Sequence, residues 1–155
     1  MKTWPDPLVY VVDDEGEVRR SLGFFLKTAG FLPRPFLSGE DFLAEVPDLA
    51  PGCVLLDVRL GGVSGLDVIE RLGVRRDRLP VIVMTGHGDI AMAVQAMKLG
   101  AIDFLEKPFS EDVLSKALQH GFELLRHRTR AAEERRAAER LIESLSQREH
   151  AVLAL

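Results

Sequence analysis

Five short apolar runs, each of a length that suits a strand, recur between segments carrying the punctuation of helices. That alternation is the strongest constraint on how this chain folds. The runs are Leu8–Val12, a weaker one at Arg34–Leu37, then Cys53–Val58, Val81–Met84 and Ile102–Leu105. Continuous stretches such as Val54-Leu55-Leu56 lack the apolar–polar alternation of a half-exposed strand, so they are expected in a parallel sheet covered on both faces. Ser38 precedes Gly39-Glu40-Asp41 and Ser110 precedes Glu111-Asp112. Both pairs place a capping hydroxyl and first-turn carboxylates where free N–H groups and the helix dipole favour them. Gly30 and Gly100 stand where helices should stop. Strand and helix repeated five times predict an α/β fold: a right-handed, doubly wound parallel sheet with helices on both faces.

Charge divides the chain. Residues 1–119 hold 18 acidic and 13 basic side chains, whereas residues 120–155 hold 6 acidic and 7 basic, within an overall net charge of −4 over 155 residues. From Gly121 to Ser144 there is no further glycine and no proline, and Arg, Glu, Ala and Leu dominate, so this stretch reads as one helix. The expected division is a first domain over 1–125, a helical linker over 126–144 and a separate start over 145–155. No run of about 18 apolar residues exists and only Lys2 precedes Pro5 as a charge, which argues against a membrane span or secretion signal and for a cytoplasmic chain. The single cysteine, Cys53, excludes an internal disulfide framework and reads as a small buried strand residue.

In open parallel sheets, chemistry gathers beyond the carboxyl ends of the strands. Here the first run ends in Asp13-Asp14-Glu15, the third in Asp57, the fourth in Thr85, and the fifth is followed by Lys107-Pro108. Three carboxylates brought to one rim repel unless a cation intervenes, and hard oxygen ligands with room for water suit Mg²⁺, with Mn²⁺ or Ca²⁺ as substitutes. A divalent ion, an ammonium, a hydroxyl and one carboxylate free for attack fit a phosphoryl group, whose transfer depends on positioning and charge neutralisation.

Four stretches carry a resemblance: Val11-Val12-Asp13-Asp14-Glu15, Leu55-Leu56-Asp57-Val58-Arg59-Leu60, Val83-Met84-Thr85-Gly86-His87-Gly88-Asp89, and Ala101-Ile102-Asp103-Phe104-Leu105-Glu106-Lys107-Pro108-Phe109. Residues 7–125 resemble the receiver domain of bacterial two-component response regulators, in particular the NarL/FixJ family with LuxR-type output. The resemblance implies a flavodoxin-like sheet of order 2-1-3-4-5. It implies that Asp57 takes a phosphoryl group from a phosphohistidine on a sensor kinase. Asp14, Asp57 and the backbone carbonyl of Arg59 would bind Mg²⁺ directly, with Asp13 acting largely through an intervening water. Lys107 would pair with the phosphoryl oxygens after a cis peptide bond to Pro108. Thr85 would swing toward the phosphoryl group and Phe104 would turn inward, changing the surface of the fourth helix and fifth strand. Such a switch would act on its own aspartate and turn over no external substrate. The family usually has proline four residues after the phosphoacceptor, where this chain has Gly61 followed by Gly62, so a more mobile loop is expected there.

Blander readings hold for other residues. His87, flanked by glycines, reads as a solvated loop histidine, and His120 and His127 as part of a solvated helical face. The fourth helix, Asp89–Leu99, has more apolar surface than one core-facing stripe needs, and Val94 and Lys98 are candidates for a dimer face formed on phosphorylation. The last eleven residues place Ser146 and Glu149 in capping-box spacing before an apolar run and look like the first helix of a LuxR-type helix-turn-helix, breaking off before any recognition helix. DNA would then be bound only through the rest of that output domain. A stand-alone phosphorelay adaptor and an aspartyl-nucleophile phosphatase are the alternatives. The phosphatase normally has a second carboxylate two residues beyond the nucleophile, where this chain has Arg59.

Overall fold

The computed structural model describes residues 7–153, with side chains to Arg148. The stretch read for a signal, residues 1–6, lies outside the described residues, as do Ala154, Leu155 and the side chain of Glu149. The strands are β1 (Leu8–Val12), β2 (Leu32–Phe36), β3 (Cys53–Asp57), β4 (Val81–Thr85) and β5 (Asp103–Glu106); the helices are α1 (Gly16–Thr28), α2 (Gly39–Glu45), α3 (Gly65–Leu72), α4 (Ile90–Leu99) and α5 (Glu111–Leu153). All strand pairs are parallel and their order is β2-β1-β3-β4-β5.

Period-two alternation sorts the strand side chains onto two covered faces. Tyr10, Val12, Val54, Leu56, Val81 and Val83 pack with Phe42 of α2, Val68 and Ile69 of α3 and Ala96 of α4. Val9, Val11, Cys53, Leu55, Ile82 and Met84 pack with Leu22 and Leu26 of α1 and with Leu114, Leu118 and Phe122 of α5. Two covered faces explain why the central strands are apolar without interruption. β2 begins two residues earlier than the run read from the sequence and includes both Pro33 and Pro35. At the sheet edge a missing N–H costs no ladder bond on the open side, so a proline-bearing edge strand is tolerated.

Ser38 accepts from the N–H of Asp41, and Ser110 from that of Val113, as their positions imply. Gly100 closes α4 at φ 116°, a conformation that L side chains avoid. Contacts among the described residues form two compact units, one ending at Leu125 and one starting at Arg126. In the second, the side chains of Leu141, Ile142 and Leu145 are exposed. The helix does not restart at Ser146, which lies inside α5 with helix-favouring Leu145, Gln147 and Arg148 around it. None of the helices among the described residues is long and apolar enough to cross a membrane.

Gly121 sits within a helix, where glycine costs about 1 kcal/mol relative to alanine. Packing accounts for it: a Cβ there would lie 2.7 Å from Cys53 Sγ and 3.3 Å from Ile102 Cδ1. Burial also pushes the Cys53 thiol up to about 12. Gly121→Ala is therefore expected to destabilise the protein by about 1–3 kcal/mol in urea unfolding, despite its better helix propensity. Adding Cys53→Ala should recover most of the loss; an unchanged or raised midpoint for the single variant would refute this account.

Candidate functional site

Because β1 and β3 are neighbours and β4 and β5 follow on the same side, the residues at their carboxyl ends meet at one rim. Asp13 and Asp14 leave β1, Asp57 closes β3, Thr85 closes β4 and Lys107 follows β5. Ligand oxygens of Asp13, Asp14 and Asp57 all lie within 4.8 Å of one another. Asp13 is fully buried and Asp57 is 6% exposed. Asp14 is open to solvent.

Each carboxylate has a defined set of donors. Asp13 Oδ1 accepts the N–H of Glu15 at 2.9 Å and Asp57 Oδ1 that of Arg59 at 3.0 Å, so both strand ends turn on their own side chains. Asp14 Oδ2 accepts the N–H of Gly61 at 3.3 Å. The Lys107 ammonium donates to Asp13 Oδ2 at 3.1 Å and to Asp57 Oδ2 at 3.3 Å. Its backbone N–H donates to the Thr85 carbonyl at 2.7 Å, and the Lys107–Pro108 peptide bond is cis. Arg19 adds a 2.6 Å bond to the Asp13 carbonyl.

Burial pushes the Asp57 carboxyl above the usual range, against the pull of the Arg59 N–H and Lys107, while the Asp13 charge adds to the push. Burial also works against the Lys107 ammonium, but Asp57 and Asp13 outweigh it and raise its pKa, so it stays charged. The set suits a metal ion chemically. Three carboxylates supply hard oxygens in a cluster whose acidic charge a single ammonium leaves only partly balanced.

Thr85 is 2% exposed and its hydroxyl donates to the Leu105 carbonyl at 3.4 Å, so it is engaged with β5. Phe104 is 40% exposed on that strand. Val94 and Lys98 lie exposed on α4. His87 is solvent-exposed and pairs with Glu106 Oε1 at 2.9 Å, at the end of β5, apart from the cluster of Asp13, Asp14 and Asp57.

The loop after β3 departs from expectation. Two glycines predict a loose loop, yet three sets of bonds hold it: Gly61 to Asp14, the Val63 N–H to Glu40 Oε1 at 2.5 Å, and the Arg59 guanidinium to Asp89 through Nε at 2.5 Å and Nη2 at 2.7 Å. The Val63 N–H in turn holds the Glu40 carboxyl below its ordinary value. Glu40 and Asp89 are legible in the sequence only as helix-start acids, because nothing local shows which distant loop each would reach.

An acidic pair, a buried aspartate and a spanning lysine at the carboxyl rim of this sheet define the receiver class of signalling switch. The chain belongs to that family: the response regulator receiver domain matches residues 9–119. Among its relatives is the transcriptional regulatory protein FixJ of Bradyrhizobium diazoefficiens, 40% identical over 148 residues, which span 94% of this chain and 71% of that protein. FixJ of Rhizobium meliloti is 40% identical over 149 residues, spanning 96% of this chain and 73% of that one. The crystal structure of FixJ-N is 44% identical, with a TM-score of 0.73 over 77% of this chain and 96% of that one. The response regulator StyR superposes with a TM-score of 0.80 at 41% identity, over 90% of this chain and 70% of StyR.

Removing the ammonium leaves Asp13 and Asp57 facing each other without a cation. Lys107→Met is expected to cost about 1–3 kcal/mol in denaturant unfolding of the metal-free protein. Excess divalent cation should shrink the loss by supplying the missing charge. Unfolding midpoints that do not move on adding the cation, in both wild type and variant, would show that the carboxylate cluster does not bind it.

Proposed function

We propose that Asp57 accepts a phosphoryl group from a phosphohistidine on a sensor kinase. The observation that carries this reading is a buried carboxylate whose one oxygen meets the Lys107 ammonium at 3.3 Å, beside a second buried carboxylate sharing that ammonium. An Asp57 oxygen attacks phosphorus, an O–P bond forms, and the P–N bond breaks with its electron pair leaving on the donor imidazole. Lys107 balances charge on the phosphoryl oxygens. The carboxylates of Asp13, Asp14 and Asp57, with the Arg59 carbonyl, would hold Mg²⁺, which supplies further charge neutralisation. Water attack at phosphorus later releases inorganic phosphate and restores the carboxylate, so the chain acts on its own aspartate and turns over no external substrate.

The new charge, close to two negative units, gives the Thr85 hydroxyl a stronger partner than the Leu105 carbonyl. Thr85 leaves β5, Phe104 turns into the space released, and the α4 surface with Val94 and Lys98 forms a homodimer. Residues 1–125 form the receiver and 126–144 a helical connector. Residues 145–155 lead toward an output domain, through which the protein would control transcription in the cytoplasm, as the names of the FixJ relatives indicate for them.

Acetyl phosphate with Mg²⁺ should introduce one acid-labile phosphoryl group per chain, and Asp57→Asn should remove it. Persistent stoichiometric labelling of the variant would refute the assignment. Beryllofluoride, which mimics a bound phosphoryl group, should double the sedimenting mass of the wild type and leave Val94→Asp a monomer. A mass that does not change on addition of the mimic would count against the α4 dimer.

A further inference from the structure

Three helices begin on a serine that caps them: Ser38, Ser64 and Ser110 accept the N–H of Asp41, Asp67 and Val113 at 3.1–3.2 Å. The start of α4 differs. Asp89 holds its N-cap position, and aspartate is among the best residues for that position, yet its side chain makes no cap bond. Both of its oxygens are bound by the Arg59 guanidinium, 30 residues away in the chain. Arg59 is also the residue whose N–H donates to Asp57 Oδ1. One side chain therefore joins the phosphoacceptor strand to the start of α4 and takes from that helix the cap its sequence provides.

We propose that the Arg59–Asp89 pair is a latch that keeps α4 uncapped while Asp57 is a plain carboxylate. Phosphorylation draws the guanidinium onto the phosphoryl oxygens and frees Asp89 to cap α4. This rests on Asp57 being the phosphoacceptor. The energetics favour an exchange. The resting pair is bidentate and its carboxylate is half-buried, but its guanidinium is open to solvent, so Arg59 can turn to a new partner without leaving a buried site. A phosphoryl group offers Arg59 a dianion suited to its planar fork. Losing the pair exposes no uncompensated buried charge, because the released carboxylate gains the N–H groups of Ala91 and Met92, the second and third residues of α4. A cation beside a helix N-terminus also opposes the helix dipole, and moving Arg59 away removes that opposition. The exchange thus reports the state of Asp57 to α4 by a route separate from Thr85 and Phe104.

Hydrogen exchange of the Met92 amide, followed by NMR with and without beryllofluoride and Mg²⁺, tests it. In the wild type the mimic should raise protection of this amide by a factor of about five, the scale of one N-cap bond. Asp89→Ala should show low protection in both conditions. Asp89→Asn, which weakens the ion pair but caps as well as aspartate, should be protected even without the mimic. An equal rise in Asp89→Ala, or an Asp89→Asn variant that matches wild type before the mimic is added, overturns the latch. The backbone amides of Asp57 and Arg59 separate the two levels of the argument. If they shift on adding the mimic while Met92 does not respond, the latch alone fails; if they do not shift, the phosphoacceptor reading fails and takes the latch with it.

Discussion

Two carboxylates that lose nearly all contact with water a few ångströms apart repel each other and lose solvation together. In this fold the Lys107 ammonium, shared between Asp13 and Asp57, offsets both costs at once. The sheet order sets up this arrangement. Parallel strands lie about 4.8 Å apart, so a group following β5 must reach across β4 to meet the end of β3. Lysine has a stem long enough for that, and the bond from its own N–H to the Thr85 carbonyl anchors the stem at the intervening strand. Thr85, which closes β4, thus anchors Lys107 through its carbonyl and supplies the one hydroxyl that β4 carries.

The strands and the rim residues were legible in the sequence because both depend on local pattern. A strand covered on two faces must be apolar at every position, and the first polar residue after it marks where the sheet ends; Asp13, Asp57 and Thr85 are such residues. Lys107 was legible differently, from its place beside Pro108 just after the fifth run. β2 was less so, since Pro33 and Pro35 mean one thing inside a sheet and another at its edge, and only the strand order distinguishes the two. The loop after β3 was not legible. Gly61 and Gly62 widen the conformations open to an isolated chain, but the order of a folded loop depends on its partners, here Asp14, Glu40 and Asp89. Those partners lie 23 to 47 residues away, beyond the reach of any periodicity.

The departure at Gly61 changes how Asp14 is held as well. Proline at that position would have no N–H to give, whereas Gly61 donates one to the exposed carboxylate. Asp14 is the carboxylate of the three that does not meet the Lys107 ammonium, so the Gly61 amide is the donor that tethers it. The same replacement that frees the backbone therefore supplies a bond that restrains one of the site's acids.

A switch that works as proposed has to make one covalent change at Asp57 felt on α4. A phosphoryl group on Asp57, as proposed, would overturn a balance in which one ammonium serves two carboxylates, and the unmet charge would recruit donors within reach. Thr85 is held by a single 3.4 Å bond and Arg59 by an ion pair whose guanidinium is open to solvent, and each would exchange its present acceptor for a more highly charged one. Lys107 is already committed, and moving it would abandon Asp13 in a buried position. These two donors are thus the ones with a stronger partner to gain, and each is tied to the α4–β5 side of the sheet: Thr85 through Leu105, Arg59 through Asp89. On the proposed phosphorylation, motion would run in that direction, because Lys107 stays on buried Asp13 and the strands stay packed in the two apolar faces.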